Sequence, residues 1–149
     1  MKGAMGEIVV SIGLENYVDR SNAASGLRTD PVRRTEAEGV VDTGAVMLVL
    51  PQNVVEGLGL EPLRTAIVAD ADEHKEERPV AGPVAIEVCD RMMVTECVVG
   101  PPLSEPLLGQ IVLEALDLIA DCANRTLTPR TPDYPSLKLK AVHPIGLAH

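Results

Sequence analysis

The sequence predicts an all-β domain, and three observations support this fold class. The chain has 149 residues, which suits one domain with a sizeable core but leaves no room for two lobes. It contains 19 valines, 12 glycines and 12 prolines but no Phe or Trp, a composition that favours short aliphatic strands and many turns over a helical bundle. Residues 8–14 alternate between apolar side chains and mostly polar or small ones, the period-2 pattern of a strand with one buried face.

The elements that follow this first strand can be placed from local composition. Residues 15–30 are polar and small and predict a long loop, and residues 32–41 mix charges with β-branched side chains and predict an extended strand. Further predicted elements are strands at 46–50, 63–68, 80–88 and 92–99, a short helix after Pro51 that ends near Gly59, and a second helix over 110–118. A charged run at 69–79 and a proline-rich connection at 100–106 separate some of these elements.

Beyond Pro129 the sequence leaves two interpretations open. Leu137, Leu139 and Ala141 alternate with other side chains, as they would in a strand that pairs at a subunit interface. The prolines in the same stretch suit a loose terminus instead. We expect one domain over residues 1–149, with its core at about 7–129 and a tail at 130–149.

Charge and hydropathy exclude two classes of partner. The formal net charge is −9 and the pI about 4.7, which opposes a phosphate backbone and provides no basic patch for anionic lipid. No stretch approaches the ~20 apolar residues that span a bilayer, and residues 1–6 lack the apolar core of a signal peptide. We therefore expect neither nucleic acid nor a membrane as a partner, and a soluble cytoplasmic protein.

The cysteines predict free thiols. Cys89, Cys97 and Cys122 are odd in number and have no metal-ligand spacing. On a hairpin that turns at residues 90–91, Cys97 faces Val84 and cannot reach Cys89 for a disulfide. Buried or half-buried free thiols fit a reducing compartment.

The most informative stretch is residues 40–45, in which two valines precede Asp42, Thr43, Gly44 and Ala45. Two β-branched residues directly before an aspartate describe a strand that delivers a carboxylate into a tight turn with little side-chain bulk nearby. Because the same residue types are ordinary turn formers, the triplet alone does not establish chemistry. A second motif is needed for that.

The second motif consists of Leu107, Leu108 and Gly109, which follow several strand-like segments. Together with residues 41–45 and 48–51, these residues resemble the retropepsin-like aspartic protease family, specifically its small bacterial single-lobe members. The resemblance covers about residues 7–129. It implies an acid-protease barrel with one or two short helices, one lobe per chain, and a closing hairpin with strands at 118–120 and 126–128.

The resemblance also implies roles for these residues. Asp42 would be catalytic, Thr43 would brace two active-site loops across a twofold axis, and Gly44 would let the backbones approach closely. An apolar backing would strengthen the coupling between the catalytic carboxylates. The supporting residues of the active-site loop are then Thr43, Gly44, Ala45, Leu107, Leu108 and Gly109.

Peptide hydrolysis of this kind needs one group to deprotonate a water and another to protonate the carbonyl oxygen or the leaving amine. Two carboxylates that share one proton supply both roles, because like charges a few ångströms apart cannot both ionise. Since the sequence holds one copy of the motif, a C2 homodimer has to bring Asp42 of each subunit to the axis. The implied function is an aspartic endopeptidase acting on peptide or protein substrates, with no metal and no cofactor.

A mobile flap hairpin over the site is a further implication of the resemblance. Its tip would fall at Ala69, Asp70, Ala71 and Asp72. The family usually has a glycine there, whereas this chain has none between these residues and Gly82. The acidic run is equally consistent with a solvated hairpin end.

Other interpretations stay open. A dimer of this fold can clasp peptides without cutting them, because a fold alone does not guarantee activity. A monomer can use Asp42 merely as a turn residue. No serine has a nucleophile-elbow setting and no histidine has metal or triad spacing. Glu114, Asp117 and Asp121 would share one face of a continued helix, where a solvated acidic face is the simpler interpretation than a cation site.

Overall fold

The computed structural model describes residues 7–69 and 72–139 as a mostly β chain built on a closed barrel of six strands. The strands are β1 (Val9–Asn16), β2 (Arg34–Val41), β3 (Leu48–Pro51), β4 (Glu61–Ala69), β5 (Lys75–Val88), β6 (Arg91–Gly100), β7 (Leu107–Leu108), β8 (Leu118–Asp121) and β9 (Thr126–Pro129). The helices are α1 (Tyr17–Ala24), α2 (Gln52–Leu58) and α3 (Gln110–Ala115).

One sheet contains the first seven strands in the order β1-β2-β7-β3-β6-β5-β4. It closes into a barrel because β1 also pairs antiparallel with β5, with Gly13 opposite Glu87. Strand β4 lies at the edge of the sheet. It pairs with the first half of β5, and together they form a long hairpin. Strands β8 and β9 form a separate hairpin.

The barrel interior is filled by aliphatic side chains, as the composition requires. Alternation along the strands turns every second residue inward, so that Ile12 and Leu14 of β1 are buried while Ser11 is exposed. Fully buried residues include Leu14, Leu48, Leu50, Val80, Val84, Ile86, Leu108 and Val112. Each such side chain contributes about 1.5–3 kcal/mol relative to an exposed one, which compensates for the missing aromatic rings.

Most of the predicted elements are confirmed. The predicted strands correspond to β1 to β6, and the closing hairpin corresponds to β8 and β9. Helix α2 ends where predicted, because Gly59 adopts a left-handed backbone conformation with φ of 66°. The second predicted helix is shorter than residues 110–118, since α3 ends at Ala115 and Asp117 has a φ of 56°.

The prediction of a long loop over residues 15–30 is wrong, because α1 forms within it. Asn16 caps this helix by accepting from the Asp19 amide, and its side-chain Nδ2 donates to the Leu58 carbonyl at the end of α2. One asparagine therefore connects two helices. With α1 included, the described part of the chain has three short helices rather than the one or two expected.

Asp19 anchors the loop after α1. Its buried carboxylate accepts from the Arg33 guanidinium at 2.8 and 3.0 Å and from the Arg33 amide at 3.1 Å. The hydrogen bond from the Arg33 side chain holds the pKa of Asp19 at about 2, below its ordinary value of 3.8.

The cysteine hairpin differs from its predicted register. The β5–β6 turn is formed by residues 89–90 rather than 90–91, and a bulge near Gly82 shifts the pairing so that Cys97 faces Ala81 rather than Val84. All three cysteines are free, as predicted, and Cys97 is buried and Cys89 half-buried. Cys122 is exposed, so the prediction of buried or half-buried thiols is wrong for this residue. Burial raises the pKa of the Cys97 thiol to about 12, which makes it a poor nucleophile.

The tail segment, residues 130–139, runs along the surface without forming a strand. Of the residues predicted to alternate there, Leu137 and Leu139 are exposed, and Ala141 lies outside the described residues. No helix in the described part of the chain is long and apolar enough to cross a membrane.

Candidate functional site

Asp42 stands directly at the end of β2, as its sequence context predicts. Its amide donates to the Leu108 carbonyl at 3.0 Å, so the parallel pairing of β2 with β7 continues to this residue. The carboxylate is half-buried, and its Oδ1 accepts from the Gly44 amide at 2.9 Å. This hydrogen bond fixes the orientation of the carboxylate within the turn.

Residues 42–47, the Asp42 loop, are supported from behind by residues 108–111. Strand β7 lies between β2 and β3, so the loop passes over it in going from one strand to the other. The Gln110 amide donates to the Ala45 carbonyl and the Ile111 amide donates to the Val46 carbonyl, both at 2.9 Å. These main-chain contacts need no particular side chain, so they constrain the backbone of the loop whatever residues it carries.

The Gln110 side chain adds a further contact. Its Nε2 donates to the Thr43 carbonyl at 2.8 Å. Gln110 was not among the predicted site residues. Its position directly after the Leu107 to Gly109 motif indicates that it lies near the loop, but not what it bonds. The amide of its side chain carries no charge, periodicity or spacing signal that would identify its target.

Gly109 is required by close packing. A β-carbon at this residue would stand 2.5 Å from the Met47 carbonyl oxygen and 2.8 Å from that of Ala45. Any side chain here would push the Asp42 loop outward. The glycine of the second motif is therefore explained by the backbone approach that it permits.

The two leucines of the second motif play unequal parts. Leu108 is fully buried in the barrel core, and its side chain lies 3.5 Å from where a β-carbon on Gly39 would stand. Leu107 is half-buried and pairs with Val40 and Val49 on its two sides. The two leucines thus provide apolar surroundings on the inner side of the Asp42 loop.

The outer side of the Asp42 loop is open. Thr43 and Gly44 are exposed, Ala45 is half-buried, and Val46 is 66% exposed despite being apolar. A groove of about 830 Å³ runs from Thr43 along α3 to the tail segment. Its apolar lining consists of Ile111, Leu113, Ala115, Leu118, Ala120, Leu137 and Leu139.

The β4–β5 hairpin stands where a flap was predicted, but its tip is only partly described. Ala69 ends β4 and pairs with Lys75, and Asp72 lies exposed in the turn. Asp70 and Ala71, the other two predicted tip residues, lie outside the described residues. The hairpin is confirmed, and its function as a flap stays a prediction.

The solvated acidic helix face expected for Glu114, Asp117 and Asp121 does not form, because α3 ends at Ala115. Asp117 is buried and accepts from Arg130, Thr131 and the Ser136 amide at 2.5, 2.9 and 2.8 Å, while Asp121 closes the β8–β9 turn. The Ser136 hydrogen bond, with those from the two side chains, lowers the pKa of Asp117. Within residues 7–69 and 72–139, no group of three or more His, Cys, Asp or Glu residues could hold a metal ion.

Arg91 completes the attachment of the tail segment, and sequence analysis missed it. Its buried guanidinium donates to the carbonyls of Leu116, Asp117 and Thr131. A buried cation that donates to three carbonyl oxygens is a structural contact. No sequence signal distinguishes Arg91 from an exposed arginine at a hairpin turn.

Comparison of this chain with protein-family models and with curated proteins finds no match. The chemistry of the site therefore has to be inferred from its geometry. That geometry consists of a half-buried carboxylate at a strand end, a rigidly supported loop around it, and an open outer face.

Proposed function

We propose that this chain is one half of a retropepsin-like aspartic endopeptidase, which a second copy completes through a twofold axis. The proposal rests on one observation, the way in which neighbouring backbone groups hold Asp42 and its loop in place. Its carboxylate stands at the end of β2, on a loop supported by the Leu108 carbonyl and packed without a gap on Gly109. Such precise support of an acid on an open loop is what a reacting group needs.

Two Asp42 carboxylates sharing one proton would carry out the hydrolysis. The ionised carboxylate takes a proton from water while the water oxygen bonds to the scissile carbonyl carbon, and the protonated partner gives its proton to the carbonyl oxygen. The tetrahedral intermediate then collapses. The C–N bond breaks, the proton held by the first carboxylate goes to the leaving amine, and one hydroxyl of the intermediate returns a proton to the second carboxylate as the carbonyl re-forms. No metal or external reductant enters the balance.

Dimerisation is supported by what lies on the open side of the Asp42 loop. Val46 is 66% exposed, and half of the residues that line the neighbouring groove are apolar. Exposed apolar surface continuous with a catalytic loop is typical of a surface that a partner covers. An isologous contact here would place the two Thr43 side chains near one another, because each lies next to Asp42 on the exposed face.

The test is cleavage of an unstructured protein mixture from acidic to neutral pH by the wild type and by Asp42→Asn. We expect the variant to dimerise in sedimentation as the wild type does and to cut nothing. Asp90→Asn is the matched control, since Asp90 lies exposed in the β5–β6 turn and should leave cleavage intact. Retained cleavage by Asp42→Asn would refute the assignment.

A dimer that binds peptides without cutting them is the second candidate. The observation that favours it is the absence of glycine from residues 69–81, which removes the flexible tip that a closing flap uses. In that case the wild type would retain labelled peptides in a binding assay and leave them uncut, with or without a pepstatin-type inhibitor. A protein that sediments as a monomer at micromolar concentration would contradict both candidates.

A further inference from the structure

One peptide unit links Gln110 to the catalytic carboxylate. The carbonyl of Thr43 and the amide of Gly44 belong to the same planar peptide group. The Gln110 Nε2 donates to that carbonyl at 2.8 Å, and the Gly44 amide donates to Asp42 Oδ1 at 2.9 Å. A continuous hydrogen-bonded chain therefore runs from the first residue of α3 to the carboxylate.

This chain has two physical effects. It fixes the tilt of the peptide plane, because both of its polar ends are held and the plane cannot rotate without breaking one of them. It also polarises the peptide, since a donor on the carbonyl strengthens the amide on the other side as a donor. Both effects act on the direction and strength of the hydrogen bond that Asp42 receives.

Among the hydrogen bonds described between the Asp42 loop and residues 108–111, the one from Gln110 Nε2 is made by a side chain. Three other hydrogen bonds between the Asp42 loop and residues 108–111 are made by main-chain groups, from Asp42, Gln110 and Ile111. A substitution at residue 110 removes the relay while leaving those three in place. The relay can therefore be tested separately from the folding of the loop.

We propose that Gln110 is a positioning residue that orients the Asp42 carboxylate through the Thr43–Gly44 peptide. This inference rests on the proposed aspartic protease function for its catalytic consequence, but its structural content does not. The carboxamide does not touch the substrate or the reacting atoms. It acts through the peptide group that it holds.

Gln110→Met removes the donor while keeping the length of the side chain, and Gln110→Lys restores a donor. In the proteolytic dimer we expect Gln110→Met to lower kcat about tenfold to a hundredfold, with KM changed less than about twofold, because the loop is misdirected while the substrate contacts remain. Gln110→Lys should recover most of the loss. The matched control is Gln52→Met, at the first residue of α2, where the amide donates to Glu56 instead.

A readout that does not depend on activity is the hydrogen exchange of the Gly44 amide, measured by NMR. We expect faster exchange in Gln110→Met and near wild-type exchange in Gln110→Lys. The Ala123 amide, which donates to Asp121 Oδ1 in a similar turn, serves as the internal control and should not change in either variant.

The two readouts separate the possible failures. Unchanged Gly44 exchange in Gln110→Met overturns the relay whatever the activity, and faster exchange with wild-type kcat overturns its catalytic role. If the wild type cuts nothing while Gly44 exchange still responds to residue 110, the proposed protease function fails and the relay stands as a structural feature. Faster exchange of Ala123 as well would mean general loosening and would also count against the proposal.

Discussion

Gly109 lies so close to Met47 that a β-carbon on the glycine would stand 2.5 Å from the Met47 carbonyl oxygen. Real β-carbons do not approach backbone oxygens to this distance. The Asp42 loop and the segment behind it are therefore packed backbone against backbone. Movement of the segment at Gly109 has to displace the loop that carries the proposed catalytic residue.

The first prediction follows from this contact. Gly109→Ala should lower the free energy of unfolding by about 1–3 kcal/mol, because the added methyl group meets main-chain atoms that have no room to move. Activity in the proteolytic assay should fall more steeply than stability, since the displaced backbone carries Asp42. Urea denaturation and single-substrate kinetics measure the two effects.

Gly57 in α2 provides the control. Apart from its two chain neighbours and the backbone of its own helix, no atom lies within 4 Å of where a β-carbon at Gly57 would stand. Gly57→Ala should therefore raise stability by about 0.5–1 kcal/mol, as alanine does inside helices. If both substitutions changed stability alike, the close approach at Gly109 would not be the cause.

Thr43 is predicted to matter for association rather than folding. If the two Thr43 hydroxyls brace the loops across the axis, Thr43→Val removes two hydrogen bonds per dimer. At about 1 kcal/mol each, the dimer dissociation constant should rise roughly thirtyfold. Thr43→Ser keeps the hydroxyl and should dimerise nearly as the wild type does, which sedimentation equilibrium can measure. Equal dissociation constants for the Val and Ser variants would exclude the bracing role.

Arg91 is predicted to help attach the tail segment through the Thr131 carbonyl. Arg91→Met leaves the carbonyls of Leu116, Asp117 and Thr131 without their cationic donor, and the free energy of unfolding should fall by roughly 2–3 kcal/mol. Limited proteolysis should then cut residues 130–139 faster. Arg20→Met removes an exposed ion pair with Glu15 and should change stability by less than about 0.5 kcal/mol.

The pH dependence of stability should depend on Asp19. Because the folded pKa of about 2 lies below the ordinary 3.8, the folded state stabilises the ionised form. This contribution is fully present above about pH 4 and is lost as the pH falls towards 2. Asp19→Asn should be less stable than the wild type at pH 5 and should lose less stability between pH 4 and 2, as urea titrations at each pH would record.

Asp30→Asn is the comparison for that experiment. It removes an exposed carboxylate from the same loop without disturbing the Asp19 pair with Arg33. We expect it to keep the wild-type slope of stability against pH. A slope that fell equally in both variants would assign the effect to overall charge.

Most of the strands and helices could be predicted from local sequence patterns. The period-2 alternation in β1 and the glycine after α2 are consequences of short-range geometry, so they can be predicted from neighbouring residues alone. Helix α1 could not, because its stability depends on Asn16 bonding to α2 and on Asp19 bonding to Arg33, contacts made only after folding. The cysteine register was wrong because the β5–β6 turn lies at residues 89–90 and a bulge near Gly82 adds a further shift, and local composition does not fix the exact position of either.

The candidate site divides in a similar way. Asp42 and Gly109 could be located because the proposed chemistry needs an aspartate and close packing requires a glycine. Gln110 and Arg91 act through neutral carbonyl oxygens, which every residue possesses. A sequence does not identify which of its many carbonyls a given donor will reach.

The order in which the chain is synthesised determines when the Asp42 loop becomes supported. A polypeptide emerges from the ribosome with its N-terminus first. The groups that support Asp42 belong to residues 108–111, which are synthesised about 65 residues later. The barrel also cannot close until β5 is available to pair with β1. The turn therefore emerges well before residues 108–111 can support it. In the proposed enzyme a nascent chain would be unable to digest its neighbours, and hydrolytic competence would begin only after translation has passed Ile111.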